Sequence, residues 1–291
     1  MDSRVPHAMF VENERTRSGA VEAAATAILV NRECPFRCVM CDLWKNTTDH
    51  VVPVGDVAGQ VRLLRERYPE ARTLKLYNAG SLFDPRAVSD ADLAMIGESI
   101  AGVDTVVVEC HPRFVGSRCF AFAEAITARL EVAIGLETVD PVVLPRLNKA
   151  MDLADFDAAV HALKSRNIDV RAFILLRTPW QSEEEGLRWA GASVEHAFAV
   201  GVDVCVVIPT RAGNGIMESL AARGDFGPPL LRSLEAALDA GLSLRRGRVF
   251  VDLWDASALS SCTCGDRRVA RMHRANHEQE VLPPVACGVC G

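Results

Sequence analysis

"TAILVNRECPFRCVMCDLWKN" occupies residues 26–46. The apolar run 26–30 ends at once in a loop carrying Cys34, Cys38 and Cys41, spaced C-x3-C-x2-C. Three thiols are one short of the four that close a structural zinc site. They suit instead a 4Fe–4S cluster whose fourth iron is left open to a small-molecule ligand. A zinc site completed by His50 or a distant ligand is the alternative reading of the bare triplet. The fold around the loop separates the two.

Outward from that loop, short apolar runs alternate with amphipathic segments. The runs are TAILV (26–30), TLKLYN (73–78), TVVVEC (105–110), LEVAIGLE (130–137), DVRAFILL (169–176), DVCVVIP (203–209) and RVFVDLW (248–254). They are apolar nearly throughout, as parallel strands covered on both faces are. Between them lie helix patterns. Ser182 and Glu185 form a capping box ahead of Leu187, Ala190, Val194, Ala197 and Phe198 at helical spacing. Ser89 opens a helix with Leu93, Ile96 and Ile100 on one face, and 152–164 and 229–240 repeat the pattern. Six or seven strand–helix units predict an α/β fold, a partial parallel (β/α)6 TIM-like barrel; a doubly wound sheet is the alternative. Polar residues gather just past the strands, at Asn78–Gly80, Glu109–His111, Glu137–Thr138, Arg177–Pro179 and Pro209–Arg211. In a parallel barrel all of these open onto the face where active sites are built.

Residues 1–23 read as an N-terminal arm, 24–254 as the part-barrel, and 255–291 as a small cysteine-rich metal-binding extension. At 291 residues the chain can bury a sizeable core. Its net charge of −6 gives no general attraction for nucleic acid or anionic membrane. No signal peptide or membrane-spanning run is visible, so a cytoplasmic protein with no membrane partner is expected. In a reducing compartment clustered thiols point to metals rather than disulfides. Seven of the ten cysteines fall in two clusters; Cys110, Cys119 and Cys205 stand alone and read as small buried hydrophobes.

The first cysteine cluster, placed after the first of the strand–helix units, resembles the radical S-adenosylmethionine (SAM) superfamily. The resemblance implies that Cys34, Cys38 and Cys41 hold a 4Fe–4S cluster and that the open iron binds SAM. One electron then cleaves SAM to methionine and a 5'-deoxyadenosyl radical, which abstracts hydrogen from substrate. "YNAGSLFD" (77–84) stands where the family has its glycine patch for the SAM amino group, giving Asn78 and Gly80 that role. Glu109 and Glu137 match ribose-side positions after the third and fourth strands, and Arg113 suits a carboxylate. Met40 stands where the family commonly has an aromatic residue against adenine. "AIGLETVD" (133–140) and "NGIMESLAARGDFGPP" (214–229) are similar to the branch containing the Elongator catalytic subunit and the methylthiotransferases. "KLYNAGSLFDPRAV" (75–88) and "VVVECHPRFV" (106–115) resemble the archaeosine-synthesis radical SAM subunit. No cysteine precedes Cys34, which argues against the methylthiotransferases with their extra N-terminal cluster.

Cys110 next to Glu109 is a candidate hydrogen donor to a substrate radical, but strand alternation points it away from Glu109, and Tyr77 away from Asn78. In the extension, Cys262, Cys264, Cys287 and Cys290 form two pairs that suit a tetrahedral zinc site. An auxiliary iron–sulfur cluster uses the same four thiolates, and spacing does not separate the two. Between the pairs, Arg267, Arg271 and Arg274 share a helix face, either solvated or facing a substrate anion. The expected function is a radical SAM enzyme acting on a small molecule or modified nucleoside. Its electron donor would be low-potential, such as flavodoxin or ferredoxin, and nucleic acid is a less favoured partner. A non-catalytic metal scaffold retaining the fold is the alternative.

Overall fold

The structure, a computed structural model, describes residues 1–289, so Cys290 lies outside the described residues. Strands and helices alternate after a first pair of strands. In chain order these are β1 (Ala8–Arg15), β2 (Val21–Leu29), α1 (Asp56–Arg67), β3 (Thr73–Asn78), α2 (Asp90–Ser99), β4 (Thr105–Glu109), α3 (Ser117–Ala125) and β5 (Arg129–Glu137). Then come α4 (Val143–Arg146), α5 (Leu153–Lys164), β6 (Asp169–Leu176), α6 (Glu183–Ala199), β7 (Val204–Pro209), α7 (Ile216–Ala222), α8 (Leu231–Ser243), β8 (Arg248–Val251) and α9 (Gly265–Glu278). The chain forms two compact units. One comprises Met1–Arg37, Cys41–Ile134 and Ala154–Val170; the other comprises Cys38–Met40, Gly135–Leu153 and Arg171–Gly291.

In the first unit β2, β3, β4 and β5 pair in parallel in chain order, with Thr26 opposite Lys75, Lys75 opposite Val107 and Val107 opposite Glu131. A doubly wound sheet reverses its order at a switch point. The order here does not reverse, and the fold is the α/β partial barrel that the strand–helix rhythm predicts. Helices bury Val57, Val61, Leu64, Leu93, Ile96 and Phe122. Ser89 caps α2 as expected, accepting from the Asp92 amide at 3.0 Å.

The sequence reading has no strand before residue 24. β1 is nevertheless there, antiparallel to β2 with Glu12 opposite Ala24. Its residues, AMFVENER, neither run apolar nor alternate, which hid it. Its purpose is electrostatic as well as topological. Lys75 is only 3% exposed, and Glu12 and Glu14 reach its Nζ at 2.6 and 2.5 Å. A buried ammonium left unpaired would cost several kcal/mol.

In the second unit β6, β7 and β8 are parallel, with Cys205 between Ala172 and Val249. The capping box of α6 forms, Ser182 accepting from the Glu185 amide at 3.2 Å and Glu185 accepting from the Ser182 amide at 2.9 Å. Helix α8 buries Leu231, Leu234 and Leu238. On the α9 face Arg267 and Arg274 are exposed, as a solvated face requires, while Arg271 is buried. Arg271 is 7% exposed, pairs with Asp239 at 2.8 Å and donates to the Pro283 carbonyl at 2.9 Å. Its head is engaged in these contacts within the fold. Among the described residues no helix is long and apolar enough to cross a membrane.

Candidate active site

The residues singled out in the sequence fall in both units. In the first, β2 delivers the chain into the cysteine loop, and the turn after β3 meets it. Gly80 has φ +112, and a Cβ built there would stand 3.1 Å from both Cβ and Sγ of Cys34. Only glycine supplies that backbone conformation without strain and lets the turn approach the thiol so closely. Two residues earlier, the Asn78 amide donates to Glu109 Oε2 at 2.8 Å, and the Leu82 amide donates to the Glu109 carbonyl at 2.9 Å. The ends of β3 and β4 are thereby tied together beside Cys34.

The segment between Cys34 and Cys38 is held by aromatic contact. Phe36 stacks on His111 with ring centroids 3.8 Å apart, and the Arg113 guanidinium lies 5.9 Å from the Phe36 centroid. His111 Nδ1 accepts from the Arg113 amide at 3.2 Å. Glu109, His111 and Arg113 thus come together on the cysteine loop. Phe36 was missed in the sequence; an aromatic inside C-x3-C was the available signal. Burial pushes the Cys41 thiol up, and the neighbouring charges of Cys34, Asp42 and Glu109 push the same way. Such a thiol is a poor nucleophile but becomes a thiolate when a metal binds it.

Register assigns the faces of these strands. Thr26, Lys75, Val107 and Glu131 are neighbours across the sheet, so one face carries them. Two residues on, Tyr77 and Glu109 share that face, and Asn78 points the other way with Leu74 and Leu76. Tyr77 therefore shares a face with Glu109 and, as alternation implies, points away from Asn78. Asn78 is 1% exposed and neither its Oδ1 nor its Nδ2 has a hydrogen-bond partner. Asn31, fully buried just before the loop, is in the same condition. Cys110 is 3% exposed and in contact with Ser81 Oγ at 3.4 Å; burial pushes its thiol up to about 12.

In the second unit Val39 and Met40 are fixed through the backbone. The Val39 amide donates to the Leu147 carbonyl at 2.9 Å, and its carbonyl accepts from Asn214 Nδ2 at 2.6 Å. Asn214 also caps α7, accepting from the Met217 amide at 2.9 Å. Met40 packs against Met217, Leu220 and Phe226. Glu137 ends β5 in a left-handed conformation, φ 65, and is 7% exposed. Lys149, 9% exposed, forms an ion pair with it. A Cβ at Gly135 would fall on Glu137 Oε1 and Lys149 Nζ. Lys149 is a second residue the sequence reading missed, since nothing in the spacing of residues 137 and 149 marks them as partners.

The three-cysteine loop at the C-terminal end of a parallel strand, the glycine turn against its first thiol and the polar strand ends define a class of protein. The radical SAM superfamily model matches residues 28–186, and the chain belongs to that superfamily. More particular likenesses follow. An uncharacterised protein of Methanocaldococcus jannaschii is 20% identical over 249 residues, covering 80% of this chain and 68% of that one. The archaeosine synthase subunit beta of Methanosarcina acetivorans is 25% identical over 207 residues, covering 68% of this chain and 59% of its own. The structure of the archaeal Elp3 of Methanocaldococcus infernus, truncated at its N-terminus, superposes with a TM-score of 0.55 at 13% identity, covering 74% of this chain and 58% of that one. The chain thus spans 59% of the archaeosine synthase subunit and 58% of the Elp3 chain.

Proposed function

We propose that this chain is a radical SAM enzyme in which Cys34, Cys38 and Cys41 hold a 4Fe–4S cluster and the surrounding strand ends hold SAM. The observation that carries this reading is the approach of Gly80 to Cys34, at an angle that admits no other residue cheaply. It packs the turn that the superfamily gives to the SAM amino group directly against the first cysteine of the loop. The donor set also fits: three thiols within eight residues, with no fourth protein thiol on the loop.

Bound there, the cluster and SAM supply a reducing electron and a 5'-deoxyadenosyl radical able to abstract hydrogen. The chain's own residues place and shield that chemistry. The backbone of Asn78–Gly80 lines the cofactor's amino group, and Glu109 orders that turn through its bond to the Asn78 amide. Arg113 offers a planar fork to a carboxylate, and its guanidinium is kept over Phe36. Glu137, paired with Lys149, would serve the ribose, and Met40 would fill space beside the adenine. The substrate is a small molecule or a modified nucleoside, and the electron comes from a low-potential donor such as flavodoxin or ferredoxin.

Anaerobic reconstitution tests the proposal. Four irons per chain on the first loop, and 5'-deoxyadenosine formed from SAM on reduction, are expected. Cys34→Ala should abolish both. Unchanged iron content and SAM cleavage in that variant would refute the assignment.

A further inference from the structure

Three thiols outside the site meet at the start of α9 and in the segment that follows it. The Sγ atoms of Cys262, Cys264 and Cys287 all lie within 4.8 Å of one another, those of Cys262 and Cys287 3.7 Å apart. Zn–S bonds of about 2.3 Å at the tetrahedral angle separate two sulfurs by about 3.8 Å. A cubane gives each thiolate its own iron and splays the sulfurs around the whole cluster, and a two-iron cluster divides them between metals. The 3.7 Å between Cys262 and Cys287 is the separation expected at one ion, and Cys264 lies within 4.8 Å of both. N–H groups also point at the sulfurs: Arg268 Nε to Cys264 Sγ at 3.3 Å, and the Val289 amide to Cys287 Sγ at 3.4 Å. Donors of this kind steady thiolate charge at a metal.

The helix that begins at these thiols lies along β8. Gln279 Oε1 accepts from the Val249 amide and its Nε2 donates to the Val249 carbonyl, both at 2.8 Å. One turn earlier, Asn276 does the same to Val251, at 3.0 and 2.9 Å. Two carboxamides on one helix thereby replace the ladder of a neighbouring strand, which leaves no open edge there. Arg268 and Arg271 fasten the same helix to α8 through Glu235 and Asp239.

We propose that Cys262, Cys264 and Cys287, three of the four thiols paired here in the sequence (the fourth, Cys290, lies outside the described residues), hold a single zinc ion, not an iron–sulfur cluster, and that this ion clamps α9 along the edge of β8. The ion is structural: it closes the short segments flanking α9 and keeps the Asn276 and Gln279 carboxamides in register with Val249 and Val251. The inference does not depend on what the first loop binds.

The test uses the full chain with Cys34, Cys38 and Cys41 all replaced by Ala. One zinc per chain and no iron are expected, with X-ray absorption showing sulfur neighbours at about 2.3 Å and no iron–iron distance. Iron retained in this variant, or zinc absent from it, overturns the assignment whatever the first loop does in the native chain. The clamp is read separately, by hydrogen exchange of the native chain before and after zinc removal with a chelator. Protection should be lost at the Val249 and Val251 amides and return on adding zinc. Exchange unchanged on removal would overturn the clamp.

Discussion

Gly80→Ala offers the sharpest test of the cysteine loop, because the structure supplies its own control. Gly80 has φ +112 and Gly102 has φ +82, so alanine is strained at both. That strain costs on the order of 1–3 kcal/mol at each position. The surroundings differ. At Gly102 an added Cβ meets nothing within 4 Å, whereas at Gly80 it stands 3.1 Å from Cys34 Cβ and Sγ. Contacts that tight are relieved only if Cys34 shifts by a few tenths of an ångström. In a chain this size a loss of that order lowers Tm by roughly 2–10 °C. Both variants should therefore melt within a few degrees of each other and below the native chain. Only Gly80→Ala should load iron poorly, with affinity down about 10–100-fold, as when an outer partner of a metal ligand is disturbed. The assay pairs thermal melts of the apo-proteins with iron per chain after anaerobic reconstitution. Equal iron loading in the two variants would show that the turn is no part of the cluster's seat, and the reasoning from Gly80 would fall.

Three further outcomes follow from buried groups. Lys149→Ala leaves Glu137 buried without its partner, and should cost about 3–5 kcal/mol in urea melts; Gly135→Ala should break the same pair, and additive losses in the double variant would count against it. Asp169 is buried, which alone would raise its pKa, but the Arg129 guanidinium, with Arg17 and Lys164, holds it below the usual range. The stability it contributes is complete above its unfolded pKa of about 3.9 and is lost as pH falls through the lower folded value; Asp169→Asn should be less stable at neutral pH and lose less on acidification, and parallel pH profiles would refute this. Cys110, 3% exposed with its thiol raised to about 12, should resist iodoacetamide in the folded protein at pH 8, and Cys110→Ala should leave 5'-deoxyadenosine yield unchanged; rapid labelling would reopen its case as a hydrogen donor.

Local signals survived into the structure where burial on both faces made them strong. TLKLYN and DVRAFILL are strands β3 and β6 at the boundaries read from sequence, and Ser182–Glu185 is a capping box in fact. What escaped was non-local. Lys149 and Phe36 are ordinary residues in sequence; their roles come from partners, Glu137 and His111, that only folding brings near. Alternation gave Tyr77 opposite to Asn78, but only the pairing of Lys75 with Val107 shows that Tyr77 shares the face of Glu109. A one-residue difference in the reference inverts every side chain along a strand. The choice between zinc and iron–sulfur in the extension was likewise closed to spacing, since both use the same residues. The proposal of a single ion rests instead on sulfur positions in space, which spacing does not encode.

The two segments set apart in the sequence as arm and extension have related work in the fold. An unclosed parallel sheet must end somewhere, and an unpaired strand edge invites association with another chain. β1 covers β2 in the first unit, with backbone pairing from Ala8 to Arg15 and two glutamates on buried Lys75. α9 covers β8 in the second, using the carboxamides of Asn276 and Gln279 in place of a backbone. A strand covers an edge by its own ladder and needs no help. A helix offers only side chains at such an edge, and it must be held at the right height for two of them to meet alternate residues of the strand. That requirement is the physical reason to expect a rigid staple next to α9, and the proposed metal, bound by thiolates at its first turn, would meet it in a segment too short to build a core.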